Sequence, residues 1–152
     1  MHLNNSFKIY NASAGSGKTF NLVKEYLILL LTSENDDAYK NILAITFTNK
    51  AVNEMKNRIV ERLIEFSDKE KINKNSAIIK EIIKETKLSV NTINIKSNQI
   101  LKHLLKNYAA FEISTIDKFT QRIVRSFSYE LNIDSKYEVE IDEEELLSKA
   151  VD

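Results

Sequence analysis

The chain has 152 residues, which suits one domain able to bury roughly 70% of the surface its unfolded form would expose. Lysine and arginine number 22 and aspartate and glutamate 22, so the formal net charge is zero, bulk charge advertises no polyanionic partner, and any nucleic-acid site must be local. The absence of cysteine excludes a disulfide scaffold and a thiolate metal site, the two histidines by themselves make no zinc site, and this usage fits a reducing cytoplasm.

The opening Met1-His2-Leu3-Asn4-Asn5 lacks the basic stretch and apolar run of a signal peptide. Phe7 to Asn11 alternates apolar and polar residues and is predicted to be a short strand. After a glycine loop, Phe20, Val23, Leu27 and Leu30 recur at helical spacing and predict a first helix to about Leu31. The apolar run Ile28 to Leu31 is far shorter than the ~20 residues of a membrane helix, so a soluble, cytoplasmic protein without membrane contact is expected.

Ile42 to Phe47 is nearly continuously apolar, the pattern of a parallel strand covered on both faces. Thr48 or Asn49 is placed to cap a helix with the buried stripe Ala51, Met55, Ile59, Leu63 and Phe66. Ser67 to Asn75 is polar and reads as a surface connection. Two helical stretches follow, with inward stripes Ile79, Ile82, Ile83 and Leu101, Leu104, Leu105, Tyr108. Their lysines Lys80, Lys84, Lys102 and Lys106 are assigned to a solvated face in preference to a DNA track. Phe111 to Ile116 predicts a third strand, leading into a helix with Phe119, Ile123, Phe127 and Leu131 inward. Tyr137 to Ile141 alternates apolar residues with glutamate before an acidic helix start at Asp142. Strands alternating with helices predict an α/β fold with a mostly parallel sheet, whose ligands sit at the carboxyl ends of the strands.

Both glycines of the chain, Gly15 and Gly17, fall in Ala12-Ser13-Ala14-Gly15-Ser16-Gly17-Lys18-Thr19, which fits the phosphate-loop pattern with alanine in place of its first glycine. The phosphates of a nucleoside triphosphate carry several negative charges. Such a loop meets them with inward N–H groups and a helix amino terminus, and glycine permits the close wrapping. Lys18 is expected to reach the β- and γ-phosphate oxygens and the Thr19 hydroxyl to ligate Mg²⁺. The competing reading, a strand-to-helix turn with a solvated lysine, is disfavoured because the match follows a predicted strand and opens a predicted helix.

Ile45 to Ile59, beginning Ile45-Thr46-Phe47-Thr48-Asn49-Lys50, resembles the second conserved segment of superfamily 1 DNA helicases of the UvrD/Rep type, and Ser114-Thr115-Ile116-Asp117-Lys118-Phe119 resembles the next. With its Ala-Ser-Ala-Gly-Ser-Gly-Lys-Thr loop the chain looks closest to the RecB- and AddA-like branch, helicase-nucleases that process DNA ends. The resemblance covers nearly all of the chain but only the early part of such a protein. It implies a RecA-like P-loop fold with a helical insertion, ATP as nucleotide, and Thr46, Phe47, Thr48, Asn49 and Lys50 along a single-stranded DNA path, with Ser114, Thr115 and Phe119 near it. Hydroxyls, an amide and helix-start N–H groups suit phosphate oxygens, and an aromatic face can stack a base. Phe119, first on an apolar stripe, is assigned to the core. Asp117 stands where the family usually has histidine and is assigned to the start of its helix, since an acid would repel phosphate.

A motor also needs an acidic strand end to hold Mg²⁺ and arginines to stabilise charge in the transition state. Ile141-Asp142-Glu143-Glu144 offers acids, but Glu138 and Glu140 interrupt the strand before it, so it is not assigned as the Mg²⁺ acid. The 152 residues are therefore expected to be the amino-terminal part of the ATP-binding domain, truncated before the acidic motif and negligibly active in hydrolysis alone. The resemblance implies that the parent protein is an ATP-dependent helicase moving 3′ to 5′ in DNA repair or recombination end processing. Its implied partners are single-stranded DNA or DNA ends, the remainder of the motor and a partner nuclease chain. The alternatives are a small P-loop kinase using Asp142 and Glu143, or a non-enzymatic nucleotide-binding fragment.

Overall fold

The structure is a computed structural model that describes Ile9, residues 17–73 and 76–132, and Asp134. The expected strand at Phe7 to Asn11, apart from Ile9, lies outside the described residues, as do Ala12, Ser13, Ala14, Gly15 and Ser16 of the glycine loop and the stretch Tyr137 to Glu144. The chain divides into two compact units, Met1–Thr115 and Ile116–Asp152.

In the first unit, helix α1 (Lys18–Thr32) buries Val23, Leu27 and Leu30 as its periodicity predicts, together with Tyr26 and Leu31. A 3-10 turn at Ala38–Asn41 leads to strand β1 (Ala44–Thr46), and helix α2 (Asn49–Ser67) follows. Met55, Ile59, Leu63 and Phe66 of α2 are buried, as expected from their spacing, and Ala51 is half-buried. After α2, Ile72 turns inward although its segment reads as a surface connection. Helices α3 (Ala77–Thr86) and α4 (Val90–Lys106) form the insertion between α2 and strand β2 (Ile113–Thr115). β1 and β2 pair in parallel, with Thr46 opposite Thr115, so the expected α/β class with a parallel sheet holds. α2 packs on both strands and, most extensively, on α4, and α1 packs on α2, α3 and α4. Among the described residues no helix is long and apolar enough to cross a membrane.

Three expectations about the core need correction. β1 is shorter than the apolar run and is not covered on both faces: its middle residue, Ile45, is 41% exposed. The buried stripe of α4 is Ile93, Asn94, Ser97, Ile100 and Leu104, whereas Leu105 and Tyr108 are exposed. The stripe is phased through two polar residues, and one of them compensates for its burial by a hydrogen bond: the Asn94 amide donates to the Phe66 carbonyl at 2.8 Å. In the second unit, helix α5 (Ile116–Ser126) carries an apolar stripe, yet Ile123, Phe127 and Leu131 are exposed and Phe119 is half-buried. An amphipathic helix buries its stripe only against another layer, and the described part of that unit supplies none.

One buried residue escapes any hydrophobic pattern. Lys24 of α1 is 5% exposed, and its ammonium lies 2.5 Å from Glu85 and 3.3 Å from Glu81 of α3, and 3.5 Å from Glu25. Burial by itself lowers a lysine pKa, but the hydrogen bonds to Glu85 and Glu81 and the charges of Glu85 and Glu25 outweigh it, so the Lys24 pKa is raised. Lys24→Ala should destabilise the fold by about 1–3 kcal/mol, a range kept low because the Glu81 and Glu85 side chains are 44% and 36% exposed. The contribution of a raised lysine is complete below the unfolded value of about 10.4 and is lost as pH rises through the folded value. Urea denaturation of wild type and Lys24→Met at about pH 8 and about pH 11 should show the wild-type advantage shrinking at the alkaline end.

Candidate nucleotide and nucleic-acid site

Gly17 immediately precedes α1 with φ +83°, a left-handed backbone that a side chain other than glycine adopts only with strain. The nearest atom to a Cβ built there is Phe20 Cβ at 4.0 Å, so conformation and not space selects glycine. Its carbonyl accepts the first helical hydrogen bond, from Asn21 N–H at 3.0 Å. Among the described residues no side chain caps the helix, and no acid occupies its first turn. The start of α1 thus presents backbone N–H groups and the positive end of the helix dipole, with Lys18 exposed and Thr19 half-buried beside them. Lys18 and Thr19 therefore occupy the first turn that the loop pattern requires, while Ala12 to Ser16 lie outside the described residues.

The second group of candidates gathers where β1 and β2 end. Because the strands are parallel and in register, Thr46 and Thr115 finish side by side, and the loop Phe47-Thr48 rises directly from that edge. Thr48 caps α2: its hydroxyl oxygen accepts from Ala51 N–H at 3.1 Å and its carbonyl from Val52 N–H at 3.0 Å. The Thr48 hydroxyl proton is not consumed by this cap and can still be donated. Thr46 behaves differently, since its hydroxyl donates to the Thr48 carbonyl at 3.2 Å and braces the loop. Phe47 is 83% exposed, an unusual position for a large apolar ring, and Asn49 and Lys50 are exposed on the first turn of α2. No acid lies in that turn.

Ser114 and Thr115 sit lower, at 8% and 4% exposure, and the Ser114 hydroxyl donates to the Thr115 carbonyl at 3.1 Å. They are covered, whereas the loop that carries Phe47 is open to solvent. Asn53 and Asn57 continue the exposed side of α2 beyond Lys50 and are absent from the sequence-derived candidates. The signal for them is the helical phase opposite the Met55 to Phe66 stripe. Among the described residues no group of three acid, histidine or cysteine side chains is placed to hold a metal.

The family model of the UvrD/REP helicase N-terminal domain matches residues 1–152. The chain belongs to that family. Within it, the chain is 36% identical over 142 residues to an ATP-dependent helicase/nuclease subunit of Bacillus cytotoxicus, covering 92% of this chain and 9% of the relative. It is 34% identical to the protein of the same name from Bacillus cereus, over 92% of this chain and 9% of the relative. The corresponding protein from Lactobacillus johnsonii is 31% identical, over 89% of this chain and 9% of the relative. The chain thus spans about 9% of the length of the curated relatives it matches. No solved structure matches the chain significantly. Family membership displaces the small-kinase alternative, and the resemblance to the helicase-nuclease branch holds.

Proposed function

We propose that this chain is the ATP-binding portion of the first motor domain of an ATP-dependent DNA helicase, with a RecA-like P-loop fold, acting at DNA ends in repair or recombination. The observation that carries the reading is the strand edge: the Thr46 to Lys50 loop and the Ser114-Thr115 segment lie together at the carboxyl ends of two parallel strands, where α/β sheets bind ligands. Phe47, Thr48, Asn49 and Lys50 face a single strand of DNA there, supplying an aromatic face, a hydroxyl, an amide and a positive charge. Thr46, Ser114 and Thr115, which are less exposed, support that loop at the strand ends.

ATP and Mg²⁺ belong at the start of α1. The donor set fits them: a helix start without a capping side chain among the described residues and an exposed lysine suit phosphate, and the Thr19 hydroxyl can supply one Mg²⁺ ligand beside phosphate oxygens and water. On this reading Ala12 to Gly17 would bind the phosphates, Lys18 would neutralise the β- and γ-oxygens, and Mg²⁺ would spread the charge of the transferring phosphoryl group. The acidic strand end and arginines that complete such a centre have no counterpart among the assigned residues, so this chain alone binds nucleotide with negligible turnover. In the complete protein, closure of the remaining motor over the site drives movement 3′ to 5′, alongside a partner nuclease chain.

The nucleic-acid half of the reading is tested at Phe47. Stacking of a base on an aromatic side chain is worth ~1–3 kcal/mol, so Phe47→Ala should weaken binding of an oligothymidylate by roughly 5- to 150-fold in fluorescence anisotropy. At 83% exposure the ring contributes little to the core, so the thermal unfolding midpoint should be unchanged. Undiminished affinity in this variant would remove Phe47 from the path.

A further inference from the structure

We propose that the exposed face of α2 formed by Lys50, Asn53 and Asn57 extends the nucleic-acid site, holding a single strand of DNA along the helix beyond the loop. This inference rests on the reading of the Thr46 to Lys50 loop as a DNA contact. Positions 50, 53 and 57 are separated by one and then one further helical turn, so the three side chains share a face that runs about 10 Å along the axis. All three are exposed. The Asn53 and Asn57 amides have no hydrogen-bond partner among the described residues.

Asparagine is a poor helix former, because its side chain competes for backbone hydrogen bonds, and alanine at either exposed position would favour α2. Two such residues on the outer face of a long helix thus weaken the helix without an internal contact that compensates. The electrostatics of the face favour an anionic ligand. Glu54 next to it is neutralised by Arg58 at 2.6 Å, which leaves the Lys50 charge uncancelled on this line. Glu61, the next exposed residue in the same phase, is acidic and closes the track. Between Lys50 and Glu61 the face therefore offers one cation followed by two neutral amides, each able to donate to a phosphate oxygen or to a base edge. Phe47, exposed in the loop just before α2, selects the occupant: its ring offers a stacking surface that only unpaired bases can use.

The test is anisotropy of a labelled oligothymidylate across a salt series with the 152-residue chain, comparing wild type, Lys50→Ala, the double variant Asn53→Ala/Asn57→Ala, and Gln99→Ala on the exposed side of α4 as control. The double variant should bind about tenfold more weakly at every salt concentration, with the slope of log K against log salt unchanged, because neutral amides release no counterions. Lys50→Ala should flatten that slope by about 0.7, and Gln99→Ala should match wild type. Wild-type affinity in the double variant, with Lys50→Ala weakened, would overturn the extension and leave the loop reading standing. No effect from either Lys50→Ala or Phe47→Ala, or no binding by wild type, would overturn the loop reading itself. An equal loss for a duplex of the same length would overturn the assignment to single strands.

Discussion

Replacing Lys18 with alanine is expected to lower the affinity for Mg²⁺-ATP by roughly 10- to 150-fold, since a hydrogen bond to a charged group is worth ~1.5–3 kcal/mol and no other described side chain stands in its place. The effect follows from position. Lys18 is the first residue of α1, exposed at a helix start that has no capping side chain among the described residues and no acid in its first turn. The positive end of the helix dipole remains in the variant, so binding should weaken without vanishing. Thermal unfolding should change little, because Lys18 is exposed and outside the buried core. Isothermal titration of ATP with Mg²⁺ measures the loss, and a Lys18→Ala chain that binds as tightly as wild type would remove the loop from the nucleotide site.

Phe66→Ala should be the most destabilising of the substitutions considered, costing about 3–5 kcal/mol against a total of roughly 5–15 kcal/mol for a typical domain. Phe66 is fully buried on α2, the helix that packs on both strands and on α4. Its removal leaves a cavity in that shared layer. Its carbonyl also accepts the Asn94 amide, so a shift of the α2 backbone into the cavity would strand a buried polar group of α4. The expected result in urea denaturation is a much lower midpoint with a similar slope. A loss below about 1 kcal/mol would mean that the layer collapses to fill the space.

Much of this architecture is legible in the residues alone. The stripes Val23, Leu27, Leu30 of α1 and Met55, Ile59, Leu63, Phe66 of α2 are buried as their spacing predicts, and Thr48 caps α2. Helical phase and capping depend on residues within a few positions of one another, so local chemistry suffices to read them. The loop residues Lys18 and Thr19 and the segment Thr46 to Lys50 are likewise recognisable, because their residue types at fixed spacing carry the family resemblance that the whole-chain match bears out.

Tertiary structure decided the rest. Asn94 and Ser97 enter the core of α4 while Leu105 faces out, since the choice of face depends on what α2 presents, including the Phe66 carbonyl. Lys24 is buried because three glutamates, two of them on α3, converge on its ammonium, and no periodicity of α1 announces that meeting. The register that sets Thr46 beside Thr115 joins residues far apart in the chain, and the packing around the sheet leaves Ile45 and Phe47 exposed while Ser114 and Thr115 are buried. By residue type alone, Thr46, Phe47, Ser114 and Thr115 are equal candidates for contact with DNA. Burial separates them, leaving Phe47 exposed and Ser114 and Thr115 covered, because desolvation is a property of the surrounding layers and not of the residues themselves.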